Sequence, residues 1–196
     1  MILFGATRVF ATRGVRAASV EHILEASGIS RRTFYKMFRG KEDVAAALYR
    51  MGSETLLEGC RRAVAAESDP VRKIERCIDV HLANTRVLGR LMFVLGGEAQ
   101  VPESPLYARR MEVHEALAAM LQEGHDALGG AKIDPLLPRA LVFAMEAISR
   151  MVLAEGDEGR RVTEADLQRA RSVMGRLVTA ALLGEGARVA AIPVRK

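Results

Sequence analysis

The segment GISRRTFYKMFRGKEDV, residues 28–44, places two phenylalanines four positions apart among a dense set of polar and basic side chains. Phe34 and Phe38 share one face of a helix, because residues i and i+4 lie one turn apart. A helix that served packing alone would need only these aromatic side chains. The remaining positions carry Arg31, Arg32, Thr33, Tyr35 and Lys36. We therefore expect a short helix that packs on one side and meets a polyanion on the other.

Two helices are predicted upstream of this segment. The first runs from about residue 2 to residue 13 and stops at Gly14, since glycine commonly ends a helix. The second begins after Ser19, a favoured N-cap residue, and ends at Gly28. Two short helices joined by a tight glycine turn form a helix-turn-helix, whose second helix enters the major groove of DNA. We therefore interpret residues 31–38 as a DNA-recognition helix.

The distribution of charge supports this interpretation. Residues 1–50 carry nine Lys and Arg and four Asp and Glu, and so hold the whole net charge of +5. The remaining 146 residues carry 20 basic and 20 acidic side chains. A basic segment joined to a neutral body is typical of a nucleic-acid-binding module attached to a second domain.

The rest of the chain is predicted to be helical, because apolar residues recur at helical spacing and no segment alternates as a strand does. Glycines and prolines are expected to form one broken loop, at Gly96, Gly97, Pro102 and Pro105. Five helices are predicted after the recognition helix, over about 42–66, 70–94, 106–128, 136–154 and 163–183.

The N-terminal quarter of the chain resembles the tetracycline-repressor (TetR) family of bacterial transcription regulators. The matching segments are ATRVFATRG, SVEHILEASGIS and RRTFYKMFRGKEDV, with the aromatic residues and the following lysine at the family's spacing. The resemblance implies a homodimer that binds operator DNA through its first three helices and a small molecule through a larger helical domain. Carried over by position, the DNA-contacting residues are Ser19, Arg31, Arg32, Thr33, Tyr35, Lys36 and Lys41.

The expected architecture is all-α and has three parts. A helix-turn-helix DNA-binding domain spans residues 1–46, a helical ligand-binding and dimerisation domain spans 47–184, and a tail spans 185–196. The expected function is that of a one-component regulator, a repressor that binds a palindromic operator and is released by a small apolar or aromatic ligand. The alternative is a constitutive or architectural DNA-binding protein without a ligand response.

Histidines and methionines of the larger domain are candidates for lining the ligand pocket. Methionine adapts to irregular apolar shapes, which favours an apolar ligand. The histidines would be core residues satisfied within the protein or, as the alternative, polar anchors in the pocket. His114 and His125 lie about 16 Å apart along a helix and cannot share a metal ion, so no metal site is expected. No cofactor is expected either. The predicted pocket residues are His81, Thr85, Leu88, Met111, His114 and Phe143.

The helix over residues 141–152 is apolar on nearly every side, so it must be covered on every side. One side can face the core and the other a second copy of the chain. The last helix carries a similar apolar stripe after Thr163, and two copies of each helix would form a four-helix interface. The predicted interface residues are Ile148, Met151, Met174, Leu177, Val178 and Leu182.

Several other classes of protein are disfavoured by the sequence. It contains no nucleophile elbow, no phosphate-binding glycine loop and no metal quartet, so we do not expect an enzyme. No apolar run approaches the roughly 18 residues of a membrane span, and Arg8 interrupts the apolar start, so no membrane partner is expected. Cys60 and Cys77 have neither metal-ligand nor redox spacing and are expected to be reduced thiols of a cytoplasmic protein.

Overall fold

A computed structural model describes residues 1–129, 132–155 and 162–183 of the chain. Within those ranges it contains eight α-helices and no strand, so the predicted all-α fold is confirmed. The tail predicted at 185–196 lies outside the described residues. The helices are α1 (Ile2–Ala17), α2 (Val20–Ser27), α3 (Arg31–Met37), α4 (Lys41–Ala65), α5 (Pro70–Glu98), α6 (Tyr107–Asp126), α7 (Leu136–Glu155) and α8 (Glu164–Leu183).

The chain divides into two compact units, and the helices α4, α5 and α6 contribute to both. Unit 1 consists of Met1–Thr55 and Leu88–Glu112. Unit 2 consists of Leu56–Val87 and the described residues of Val113–Lys196.

Unit 1 is built around the aromatic side chains of its first three helices. Phe10 of α1, Ile23 of α2 and Phe34 of α3 are fully buried, and Phe38 is partly buried against the same cluster. A Cβ atom at Gly5 would lie 2.9 Å from the Cβ of Ser27, so a side chain there would push α1 away from α2. The packing role predicted for the two phenylalanines of residues 28–44 is therefore confirmed.

Glycines interrupt two of the long helices, although not always where the sequence predicts. Gly14 leaves helical geometry at φ 75°, as expected of a stop, but α1 resumes and continues to Ala17. Gly89 interrupts α5 at φ 45°. The loop predicted to begin at Gly96 was wrong at its start, because α5 continues to Glu98. The helix persists there because Leu95 and Ala99 are buried in the core of unit 1, and packing outweighs the low helix propensity of glycine.

Unit 2 has a core formed by one face of each of its four long helical segments. The core residues are Ile74, Ile78 and Leu82 of α5, Ala118 and Leu121 of α6, Leu141 and Val142 of α7, and Met174, Val178 and Leu182 of α8. A smaller cluster joins α4 to α6 through Leu56, Leu57, Cys60 and Val113. Unit 2 thus contains an apolar interior of its own.

Candidate nucleic-acid interface and apolar cavity

The first turn of α2 is fixed by a reciprocal cap between Ser19 and His22. The Ser19 hydroxyl oxygen accepts the His22 backbone N–H at 3.3 Å, and His22 Nδ1 accepts the Ser19 backbone N–H at 3.2 Å. The N-cap role of Ser19 is therefore confirmed. The role of His22 was not anticipated from the sequence, because the usual partner at that position is Glu or Gln.

A left-handed glycine and a second cap set the start of α3. Gly28 has φ 66° and ψ 24°, and its N–H donates to the Leu24 carbonyl to close α2. The Ser30 hydroxyl oxygen then accepts the Thr33 backbone N–H at 3.1 Å. The hydroxyls of Ser30 and Thr33 are also hydrogen-bonded to each other at 2.9 Å. These contacts fix the end of α3 that the helix-turn-helix motif directs at DNA.

The polar residues of α3 are all exposed while Phe34 between them is fully buried. Tyr35 packs edge-on against the Phe34 ring, with centroids 5.3 Å apart, yet remains 50% exposed. The buried Phe34 ring thus supports the Tyr35 ring from the core side, and the Tyr35 hydroxyl is accessible. The structure therefore brings together on one short helix the exposed residues Arg31, Arg32, Thr33, Tyr35 and Lys36.

The two arginines at the start of α3 differ in their surroundings. Arg31 forms an ion pair with Glu21 of α2, and both side chains are well exposed. The pKa of Glu21 is lowered, chiefly by a hydrogen bond from the backbone and further by the charge of Arg31. Arg32 has no such partner among the residues that the structure describes. A ligand of Arg31 would therefore have to displace the Glu21 carboxylate, whereas the Arg32 guanidinium is directly accessible.

Lys41 joins the start of α4 to the end of α1. Its ammonium donates to the backbone carbonyl of Arg16 at 2.8 Å and to that of Ala18 at 2.7 Å. A cation at the C-terminus of a helix satisfies carbonyls that have no partner within the helix and favours its dipole. One of the three N–H donors of Lys41 is then left for a phosphate.

Unit 2 contains a cavity of about 170 Å³ between α4, α5, α6 and α7. Its wall is mainly apolar, and its polar groups come from Lys73, His81 and Glu123. The thiols of Cys60 and Cys77 also line it. The main apolar contributors are Leu56, Ile74, Ile78, Leu117, Leu121 and Met145. Such a cavity suits an apolar ligand with a small number of polar anchor points.

His81 lies in the cavity wall and is held by a neighbouring helix. Its Nε2 is hydrogen-bonded to Ser149 Oγ of α7 at 2.7 Å. Burial lowers the pKa of His81 to about 4, although the nearby Glu146 carboxylate acts in the opposite direction. The imidazole is therefore neutral near neutral pH and can accept or donate a hydrogen bond to a ligand.

Of the six residues predicted to line a pocket, His81 lines this cavity and the other five do not. Thr85 is buried, and its hydroxyl donates to the His81 carbonyl within α5. His114 is buried between Glu146, at 3.2 Å, and the Phe143 ring, which it meets edge-on at 4.5 Å. Leu88 and Met111 belong to unit 1. The periodicity identified Thr85 and His114 as buried, but Phe143 is 40% exposed, and the periodicity could not show which positions border empty space.

The apolar residues of α7 and α8 divide between the core and the surface. Met174, Val178 and Leu182 are only 0–4% exposed within the single chain, so the expectation that they meet a second copy is corrected. They pack in the core of unit 2. Of the predicted interface, the accessible part is Met151, Leu177 and the partly buried Ile148. An exposed apolar stripe at helical spacing follows α7 through Leu136, Ala140, Phe143, Ala147, Met151 and Ala154.

Two other kinds of feature are absent from the described ranges 1–129, 132–155 and 162–183. No three His, Cys, Asp or Glu side chains there form a group that could hold a metal ion. None of the described helices combines the length and the apolar character needed to cross a membrane.

A capped helix-turn-helix with an exposed basic helix, joined to a helical unit with an apolar cavity, defines a DNA-binding regulatory protein. Residues 2–48 match the family described as bacterial regulatory proteins, tetR family. The resemblance predicted from the N-terminal segments is thus confirmed over this helix-turn-helix segment, and the proteins that the chain resembles are transcriptional regulators rather than enzymes.

The known relatives agree with this family. The HTH-type transcriptional activator FasR of Mycolicibacterium smegmatis is 26% identical over 78 residues, which span 40% of this chain and 36% of that relative. The fatty acid degradation regulator FadR of Bacillus halodurans is 20% identical and covers 95% of both chains, with a TM-score of 0.77. The regulator FadR of Bacillus subtilis, solved in complex with stearoyl-CoA, is 19% identical, with coverages of 93% and 97% and a TM-score of 0.73. At these identities the likeness to the solved structures concerns the fold.

Proposed function

We propose that this protein is a cytoplasmic one-component regulator that binds a palindromic operator as a homodimer and is released by an acyl-chain effector. The observation that carries the effector proposal is the apolar cavity of unit 2, which is lined by His81 and Lys73. The stearoyl-CoA bound by the Bacillus subtilis FadR structure supports an acyl chain as the apolar ligand. The Lys73 ammonium is suitably placed on the wall to pair with an anionic group of such a ligand.

The DNA contacts proposed for unit 1 are of two kinds. Arg31 and Arg32 stand at the N-terminal end of α3, where a recognition helix meets base edges, and arginine is the usual partner of guanine O6 and N7. Ser19, Thr33, Tyr35, Lys36 and Lys41 are proposed to contact phosphates, which position the protein without reading sequence. The Ser19 and Thr33 hydroxyls lie at the starts of α2 and α3, where a phosphate can also reach backbone N–H groups.

The homodimer is proposed to form through the exposed apolar stripe of α7 and its counterpart on α8. The α8 surface adds Val173, Leu177 and Ala180 at spacings of three and four residues. An exposed apolar stripe along a helix often marks a surface that binds another protein. A twofold pairing of these helices would give the matched half-site reading that a palindromic operator needs.

A first experiment tests the DNA-binding half of the proposal. Random DNA duplexes are selected with the full chain and sequenced. Palindromes with half-site centres about one helical turn apart, roughly 34–36 Å, or a multiple of it, are expected. Binding without any enriched sequence would instead favour an architectural protein.

A second experiment tests the cavity through Gly124, which lines it on α6. A Cβ atom at Gly124 would meet no atom within 4 Å, so a larger side chain can be added without a clash. Gly124→Phe is expected to fill the cavity, and Gly124→Ala is the matched control. If four methylenes of dodecanoyl-CoA are excluded at about 0.8 kcal/mol each, affinity falls more than about hundredfold. Equal affinity of the two variants in a calorimetric titration would mean that the acyl chain does not occupy this cavity.

A further inference from the structure

The two cysteines of the chain come together on the wall of the cavity. Cys60 lies on α4 and is 1% exposed, while Cys77 lies on α5 and is partly buried. The Cys77 thiol donates a hydrogen bond to the backbone carbonyl of Cys60, with Sγ and O 3.8 Å apart. Both residues line the same cavity, and Cys77 is the more accessible of the two to a molecule that enters it.

The helices that carry these thiols approach closely beside them. A Cβ atom at Gly59 would lie 2.7 Å from Val80 Cγ1, so only glycine permits the observed spacing of α4 and α5. Gly59 adjoins Cys60, and Val80 lies about one helical turn after Cys77. A disulfide needs its two Cα atoms within about 4.4–6.8 Å, and a close approach of the two helix backbones favours such a separation.

The two thiols also have unequal acidities. The pKa of Cys77 is lowered because the Cys60 thiol donates a hydrogen bond to it, although burial acts in the opposite direction. The pKa of Cys60 is raised by the same hydrogen bond and by burial. Cys77 is also the more exposed of the two side chains, so an oxidant reaches its sulfur first, and the thiolate is the form that attacks.

We propose that Cys60 and Cys77 form a dithiol oxidation site, at which an organic hydroperoxide that enters the cavity converts the pair to an intramolecular disulfide. The apolar wall selects the class of oxidant, because an organic hydroperoxide gains by leaving water for this cavity and hydrogen peroxide does not. Formation of the disulfide does not depend on the function proposed above.

The reaction balances in two steps. The Cys77 thiolate attacks the terminal oxygen of the hydroperoxide, the O–O bond breaks, and the alkoxide leaves and takes a proton to become the alcohol. The sulfenic acid formed on Cys77 is then attacked by Cys60 sulfur, the S–S bond forms, and water leaves. In total, two thiols and one hydroperoxide give one disulfide, one alcohol and one water.

The test oxidises the reduced full-length protein with a small excess of cumene hydroperoxide and measures intact mass. A loss of about 2 Da is expected, with one tryptic species that joins the peptides of Cys60 and Cys77. Oxygen addition without this loss, or disulfide-linked dimers on a non-reducing gel, would overturn the proposal. So would intact thiols in the native protein under conditions that oxidise the urea-unfolded chain.

Serine variants separate the two roles, because serine is close to cysteine in size. Cys60→Ser is expected to stop at a sulfenic acid on Cys77 that dimedone traps, and Cys77→Ser to react at least about tenfold more slowly. Equal rates for the two variants would refute the assignment of Cys77 as the attacking thiol. The ratio of the cumene hydroperoxide rate to the hydrogen peroxide rate is expected to be about tenfold higher for native than for unfolded protein. An unchanged ratio would refute the route through the apolar cavity. The wild-type peptide map decides the pairing even if a variant fails to fold.

Discussion

Replacing Lys41 by Met is expected to lower both stability and DNA affinity, because the structure gives this side chain two separate tasks. Its ammonium donates to the carbonyls of Arg16 and Ala18 at 2.8 and 2.7 Å. The hydrogen bond to Arg16 is exposed, and water can replace it, whereas the one to Ala18 is partly buried. A charged hydrogen bond contributes about 1.5–3 kcal/mol when buried, so a total loss of about 1–2 kcal/mol is expected. For a chain of this size that lowers Tm by roughly 2–8 °C.

The second task of Lys41 is the proposed phosphate contact, which salt dependence can measure separately. Each lost phosphate contact changes the slope of log K against log salt by about 0.9. Lys36 is the matched control, because it is exposed and has no partner in the described part of the chain. Lys36→Met should therefore change the slope by a similar amount and leave Tm within about 1 °C.

Fluorescence anisotropy with a selected operator at four salt concentrations, together with thermal unfolding, gives both quantities. If Lys41→Met leaves Tm unchanged, the link between the end of α1 and the start of α4 does not stabilise unit 1. If the salt slope is unchanged while Tm falls, Lys41 is a structural residue only. Either result would refute the double role.

The remaining predictions concern base reading, the dimer and pH. Arg32→Ala and Arg31→Ala should each cost about 1–3 kcal/mol of operator-binding free energy and relax the preference for the base that the residue reads. Selection from random duplexes measures this preference, and full selectivity in the double variant would refute the assignment. Met151→Glu together with Leu177→Glu should convert the dimer to monomer in light scattering. The control Val87→Glu, at an exposed position of α5, should leave the dimer intact. Dimers that persist in the double variant would rule out the α7–α8 surface as the interface. The pKa of His81 is about 4 in the folded chain and near 6.5 in the unfolded chain, so the unfolded chain takes up the proton first as pH falls. About 1–3 kcal/mol of the free energy of unfolding that is present above pH 6.5 should therefore be lost as pH falls towards 4. Urea unfolding of wild type and His81→Gln at pH 7 and pH 4.5 measures this loss of stability. An equal loss in both proteins would show that His81 is not its source.

Local features of the sequence were sufficient to predict the recognition helix. Phe34 and Phe38 lie one turn apart, Gly28 precedes the cap at Ser30, and all these positions lie within a dozen residues. The structure of this segment depends on helix geometry and capping, and residues close together in the sequence determine both. The contacts of Lys41 with the end of α1 could not be predicted, because they join residues 23 and 25 positions apart.

Apolar periodicity predicted which faces are buried but not what buries them. The α8 stripe contains Met174 and Val178, which pack inside their own chain, as well as Leu177, which remains exposed. The same limitation affected the cavity. Thr85 and His114 are buried as predicted, yet the empty space borders Cys60 and Cys77, whose proximity depends on the packing of α4 against α5.

The central claim is that one chain couples an operator-binding surface to a cavity ligand, and the operator affinity with and without effector tests it most directly. We expect saturating acyl-CoA to weaken operator binding by about 5- to 150-fold, and operator DNA to weaken acyl-CoA binding by the same factor. Gly124→Ala should retain this coupling and Gly124→Phe should lose it. Identical operator affinities with and without an acyl-CoA shown by calorimetry to be bound would contradict the account, and the protein would then be a constitutive DNA-binding protein.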